Sequence, residues 1–235
     1  MSITHESPNF EPFNCEPPKD VKNILKNANL KSFPGPNGIP YEILFKFNCL
    51  HHILATLYNK VNVMGSPPPS WSHSVVKLLH KNGATNDPGN VCMISLKSSI
   101  AKTYHLLLAK IDEKIQKAFL PSIIGTIEHN VVLDKIISQA KTNKKTFFDL
   151  EDAIGSVPHP LIIHTLKRFN VPAEIQLYIN TLYNNRLSSV FTDSFSTDGF
   201  PFKIGVFQGD PLSSIMFLMV FNPIIEFLQS KNDCG

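Results

Sequence analysis

TFFDLEDAIGSVPH, residues 146–159, is the stretch on which the reading of the whole chain turns. Its β-branched and aromatic lead-in (Thr146, Phe147, Phe148) predicts a short buried strand. Asp149 falls where that strand should end, and Ser156 with Pro158 closes the segment after it. A carboxylate at the end of a buried strand is costly unless something pairs with it. A basic side chain can serve, or a hard divalent cation, and Mg²⁺ favours carboxylate oxygens. Asp149 and Glu151 lie two apart and share a face if the strand continues, whereas Asp152 points the other way. The plainer alternative is an ordinary strand-to-helix junction with Asp152 or Ser156 as N-cap. The stretch alone leaves both open.

Composition narrows the classes. The 235 residues suffice for one large or two small domains, and 43% hydrophobic against 17% charged residues argues for a packed core over disorder. A net charge of +3 permits a polyanionic partner without demanding one, although lysines concentrate at 141, 144 and 145, just ahead of the opening stretch. Cys15, Cys49, Cys92 and Cys234 are far apart and form no CxxC pair. They suggest neither a zinc site nor a disulfide framework, and a reducing compartment follows. The polar, proline-bearing first thirty residues do not read as a signal peptide, and no apolar run is long enough for a membrane span. The longest run, Ile215–Ile225, contains Asn222 and Pro223 and reads as a core helix. Beyond it Ile224, Ile225, Phe227 and Leu228 lead into KNDCG, and their apolar face is expected to be bare.

Taken in order, residues 1–18 carry four prolines and read as an arm. Helical spacing of apolar residues predicts helices over Lys19–Leu30, Cys49–Gly65, Ser98–Gln116, Ile127–Lys141, Leu161–Phe169 and Ala173–Asn184. Pro34-Gly35-Pro36 and Asn37-Gly38 are turn chemistry, and Pro40 is expected as the first residue of a helix running to Phe47. The adjacent His51 and His52 cannot share a helix face as metal ligands and are expected at the surface. Val75–His80 and Val91–Leu96 read as a hairpin, with Lys81 either a solvated turn residue or a lysine that reaches a phosphate. A second hairpin is expected from Arg186–Thr192 and Gly199–Gly205. The last helix, Ser213–Leu228, is expected to be capped by Asp210 or Ser213, with Pro211 near its first turn. The order is α+β without strict βαβ alternation.

Four blocks in this order carry a resemblance. PGPNGIPYEIL (34–44) is similar to a PGxDGIPxE block, with Asn37 at the usual Asp. SWSHSVVKLLHKNGATNDPGNVCMISL (70–96) is similar to a finger block ending in NhRPIsL. FFDLEDAIGSVPHPLI (147–162) is similar to a first palm motif, DhxxAFxSVxH, and GVFQGDPLSSIMFLMVFNPIIEFL (205–228) to a QGxPLSPxLF motif. The chain thereby resembles the reverse transcriptase domain of non-LTR (LINE-like) retrotransposons from about Asp20 to Lys231.

The resemblance implies a right-hand polymerase fold of the α+β class with a helix-rich amino-terminal half. It divides the chain into the arm (1–18), a fingers-like region (19–145) and an incomplete palm (146–235). It places Asp149 as the catalytic carboxylate that binds both Mg²⁺ ions of two-metal nucleotidyl transfer, with the Leu150 carbonyl on one of them. Lys81 would reach the triphosphate, Ile154 would lie beneath the incoming sugar, and Gln208 and Gly209 would pack against nucleotide and template. The implied partners are an RNA template, a DNA primer and dNTP, with no membrane; nucleus or cytoplasm would serve.

Departures accompany the matches. Ile154 stands where the family has Phe or Tyr, and Cys92 and Met93 replace the arginine and proline of NhRPI, removing a fixed guanidinium fork. The [FY]ADD hairpin that supplies the other metal-binding acids does not occur in the 235 residues. The expectation is therefore a truncated, catalytically inactive copy of an RNA-directed DNA polymerase. The alternatives are a non-catalytic RNA- or DNA-binding remnant and a pseudogene product.

Overall fold

A computed structural model describes residues 19–80, 83–84, 90–109, 154–192 and 195–232, the last nine of them as backbone only. The arm, the predicted helix 127–141, the strand Thr146–Leu150 and the second half of the helix 98–116 lie outside the described residues.

The amino-terminal half is helical because its apolar residues recur every three to four positions. Helix α1 (Lys19–Asn27) buries Val21, Ile24 and Leu25. Helix α2 (Tyr41–Lys46) buries Tyr41 and Leu44. Pro40 precedes it as the N-cap and not as its first helical residue, since its ψ of 155° is extended. Helix α3 (Cys49–Met64) buries His51, Leu54, Ala55, Tyr58 and Val61. His52 is exposed as expected, but His51 corrects the surface expectation: it is buried, and its Nε2–H donates to the Leu44 carbonyl at 3.0 Å. That carbonyl ends the short α2 and has no helical partner, so the imidazole satisfies it.

Strands β1 (His73–His80) and β2 (Val91–Leu96) form the expected antiparallel hairpin, from Val75 opposite Leu96 to His80 opposite Val91. Strand β3 (Leu187–Val190) pairs with β1 in parallel, and β4 (Phe200–Pro201) pairs antiparallel with β3. The two expected hairpins are thus one mixed sheet of order β2-β1-β3-β4. Ser74 and Ser188, buried cross-strand neighbours with hydroxyl oxygens 2.9 Å apart, mark the seam. The predicted strand 199–205 shortens to two residues. Pro201 cannot donate to a ladder, and Ile204 makes an isolated bridge to Pro158 instead.

Helix α4 (Ser99–Leu108) follows β2 and is buried on nearly every side, polar residues included. Helices α5 (His159–Arg168) and α6 (Ala173–Asn184) precede β3, and α7 (Pro211–Asn232) extends past both predicted ends. Neither expected cap serves α5, whose N-cap is Pro158, while Ser156 stays exposed and Asp152 lies outside the described residues. Along α7 no side chain from Pro211 to Pro223 is exposed. The bare face expected from Ile224 onward lies outside the described side chains. The centre of the core is aromatic. Trp71 sits 5.7 Å from Tyr104 and 6.3 Å from Tyr58 between ring centroids, and Tyr178 meets Tyr104 edge-on at 5.1 Å. These offset and T-shaped contacts are the favourable arrangements of ring quadrupoles.

Candidate functional site

The segment Gly205–Asp210 is where the separate blocks of sequence converge. It leaves the sheet pinned to the end of the opening stretch: Gly205 N–H donates to the Val157 carbonyl at 2.8 Å and Val206 N–H to the Ile154 carbonyl at 3.1 Å. The Gly205 carbonyl accepts from Arg186 Nη1 at 2.7 Å and from His159 Nε2 at 3.0 Å. Phe207 is fully buried, with the Arg186 guanidinium carbon and the Lys97 ammonium each 3.9 Å from its ring centroid. Cations this close to a desolvated ring are held by its quadrupole.

Gln208 and Gly209 then turn outward. Asp210 N–H closes the turn on the Phe207 carbonyl at 3.1 Å, and Gly209 takes a φ of +93° that a side chain would resist. On its other side the turn is sewn to β2. Ser95 N–H donates to the Gln208 carbonyl at 2.8 Å, and Cys92 Sγ contacts Gln208 Oε1 at 3.4 Å. Gln208 is half-buried and Gly209 exposed.

Asp210, which ends the turn, is more than the helix cap expected from sequence. Its Oδ1 does accept from Leu212 N–H at 3.1 Å. The carboxylate is also buried against Lys97, with Nζ 2.9 Å from Oδ2, and against His105, whose Nδ1 lies 2.7 and 2.8 Å from the two oxygens. His105 Nε2 in turn lies 2.7 Å from the Tyr178 hydroxyl. Burial alone would raise the Asp210 carboxyl, but the neighbouring His105 and Lys97 overrule it and hold the group ionised, well below its ordinary 3.8. Burial holds His105 below its ordinary 6.5 against the pull of Asp210. The imidazole is therefore neutral, Nδ1–H donates to the carboxylate and Tyr178 O–H donates to Nε2. Lys97 balances the charge. It does so as a buried ion pair at 2.9 Å.

The PGPNG block docks on this junction from outside. Gly38 N–H closes a turn on the Gly35 carbonyl at 2.9 Å, Asn37 Nδ2 donates to Ser98 Oγ at 2.9 Å, and Ser99 Oγ donates to the Ile39 carbonyl at 2.6 Å. Gly35 itself lies against the Lys97–Ser98 backbone, where a Cβ would overlap the Lys97 carbonyl.

Of the residues singled out from sequence, the structure brings Gln208, Gly209 and Ile154 into one hydrogen-bonded unit, Ile154 through its carbonyl and half-buried against the core. Asp149, Leu150 and Lys81 lie outside the described residues. Sequence reading missed Lys97, His105, Tyr178 and Arg186. For His105 and Tyr178 the signal was polarity within a helical run otherwise read as core; Lys97 lies between the predicted runs and Arg186 opens the predicted strand 186–192. Among the described residues no group of three His, Cys, Asp or Glu could hold a metal ion. Asp210 is no substitute, because Lys97, His105 and the Leu212 N–H already occupy its oxygens.

Two imidazoles, His105 buried and His159 half-buried, make the fold acid-sensitive. His105 and His159 are both held below 6.5, by burial first. As pH falls below that value the unfolded chain binds protons that the folded chain refuses, so stability drops. Asp210 adds a second loss only beneath its ordinary 3.8. The urea midpoint is expected to be lower at about pH 5 than near neutrality, with the gap narrowed in His105→Asn. Equal midpoints at the two pH values would contradict it.

A mixed α+β domain thus fixes a Gln-Gly-Asp turn between a β-hairpin and a long helix, and its class follows from sequence similarity. The chain belongs to the reverse transcriptase (RNA-dependent DNA polymerase) family, whose profile matches residues 79–234. It is 28% identical over 232 residues to the retrovirus-related Pol polyprotein from type-1 retrotransposable element R2 of Nasonia vitripennis, covering 93% of this chain and 22% of that protein. It is 25% identical over 214 residues to the corresponding polyprotein of type-2 element R2DM of Drosophila melanogaster, covering 87% and 20%. The RNA-directed DNA polymerase from mobile element jockey of Drosophila melanogaster is 27% identical over 218 residues, covering 85% and 23%. The chain therefore spans between a fifth and a quarter of the length of these curated relatives. The resemblance to non-LTR retrotransposon reverse transcriptases holds. No helix among the described residues is long and apolar enough to cross a membrane.

Proposed function

We propose that this chain is the nucleotide- and template-engaging part of an RNA-directed DNA polymerase, with fingers in residues 19–145 and part of a palm in 146–235. The observation that carries the proposal is the fixed Phe207–Asp210 turn, which presents Gln208 and Gly209 beside β2 while its stem is bonded to Ile154. That joins three of the positions that the family resemblance assigns to nucleotide contact. Gln208 and Gly209 pack against nucleotide and template, and Ile154 lies beneath the sugar. Lys81 reaches the triphosphate. Asp149 and the Leu150 carbonyl are the positions proposed to hold Mg²⁺, which when bound stabilises charge on the transferring phosphoryl group and activates the primer hydroxyl. RNA template, DNA primer and dNTP are the proposed ligands.

Primer extension on an RNA template with Mg²⁺ is the test. The 235 residues contain one of the three acidic positions that the resemblance expects, so in isolation they should bind primer–template without extending it. That binding should weaken linearly in log affinity against log salt. Extension that Asp149→Ala abolishes would overturn the expected silence of the isolated chain. Failure to bind RNA–DNA at low salt would overturn the polymerase reading itself.

A further inference from the structure

Helices α2, α3, α4, α5 and α6 all begin without a side-chain cap. Starting α7 therefore did not require a buried carboxylate, still less one closed in by an ammonium and an imidazole. Buried ionic clusters gain little over apolar packing of the same volume, but they can hold one arrangement against its alternatives. The arrangement held here is that of Asp210, the residue directly after Gly209. Its two fully buried partners play different parts. Lys97 is a point charge on a flexible stem that reaches one oxygen, Oδ2, and neutralises the carboxylate without aiming it. His105 straddles both oxygens at 2.7 and 2.8 Å and is itself fixed by Tyr178 at 2.7 Å. The carboxylate plane is thus referred through α4 to α6. With Ser95 and Cys92 holding Gln208 from β2, the turn is tied on both flanks.

We propose that His105 and Tyr178 are positioning residues for the Gln208–Gly209 turn, acting through Asp210 so that the turn offers a single geometry to an incoming nucleotide. The nucleotide part rests on the polymerase reading; the anchoring part does not.

The test compares His105→Leu with His105→Asn in the full chain, because Asn can place an N–H where Nδ1 donates to Asp210. His105→Leu leaves Asp210 paired with Lys97 and removes no net charge, so the variant is expected to fold. Amide hydrogen exchange at Leu212, whose N–H is bonded to the Asp210 side chain, and at Ser95, bonded to Gln208, reports the turn directly. In His105→Leu both are expected to exchange about tenfold faster, with dNTP affinity on an RNA–DNA primer–template about tenfold weaker, and His105→Asn should restore both to within about twofold. Tyr178→Phe, which removes one oxygen, should speed the same amides by about threefold and decides the matter if His105→Leu does not fold. A lowered melting temperature with unchanged exchange at Leu212 and Ser95 would overturn the proposal and make His105 a core residue only. A wild-type chain that binds no dNTP beside a bound primer–template would overturn the nucleotide reading, while the exchange comparison still decides the anchoring.

Discussion

Gly35→Ala is expected to be strongly damaging for a single added methyl, lowering stability by about 3 kcal/mol or more and the melting temperature by roughly 6–12 °C. The reason is contact with backbone, which has no rotamer to retreat into. A Cβ at residue 35 would overlap the carbonyl carbon and oxygen of Lys97 and the nitrogen of Ser98. Relief would push the PGPNG loop away from β2 and α4, stretching the Asn37–Ser98 and Ser99–Ile39 hydrogen bonds. Because Lys97 carries the ammonium that pairs with Asp210, the disturbance should also reach the Gln208–Gly209 turn. Gly38→Ala is the control. Gly38 has a φ of +67° but nothing within 4 Å of a Cβ, so only the cost of a left-handed alanine applies, about 1 kcal/mol. Thermal unfolding of the two variants side by side checks the comparison, and equal losses would show that residue 35 is not in close contact with Lys97.

The second large effect is Asp210→Ala. Removing the carboxylate leaves the Lys97 ammonium buried with no counter-charge, and leaves the His105 Nδ1–H and the Leu212 N–H without their acceptor. Breaking a buried pair in this way costs about 3–5 kcal/mol, most of it the penalty of the stranded charge. The penalty should therefore shrink in two ways. Lys97→Met/Asp210→Ala, which removes the stranded ammonium 2.9 Å away together with the carboxylate, should lose less than Asp210→Ala alone. Raising the pH should also narrow the loss, because burial already pulls Lys97 below its ordinary 10.5 and, without Asp210, nothing strong pulls it back. Urea unfolding of wild type, both singles and the double reads the coupling directly. A double variant as unstable as the sum of the singles would mean that Lys97 and Asp210 do not act as a pair.

Much of this architecture was legible in the residues. The periodic runs placed α1, α3, α5 and α6 to within a few residues, since each has one apolar stripe. The β1–β2 hairpin was legible for the same reason. The parallel pairing of β1 with β3 was not, because Ser74 and Ser188 are 114 positions apart and neither the length nor the composition of β3 says which edge it joins. The site divided along the same line. Gln208 and Gly209 could be found from their motif, and Asp210 was seen as a cap because Asp before a helix has that local meaning. Its buried partners were invisible. Helix α4 is enclosed nearly all round, so its polar residues Lys102 and His105 face protein and not water, an outcome that a one-stripe reading of the helix assigns to solvent. His51 misled for a related reason, since the orphan carbonyl it satisfies belongs to a neighbouring helix.

The most direct test of the nucleotide-contacting turn is hydrogen exchange across residues 205–212 of the chain bound to an RNA template annealed to a DNA primer. If Gln208 and Gly209 contact the incoming nucleotide, exchange there slows when the complementary dNTP and Mg²⁺ are added and stays as it was with a non-complementary dNTP. Exchange at 205–212 that ignores the complementary dNTP, in a chain shown to bind the primer–template, would contradict it.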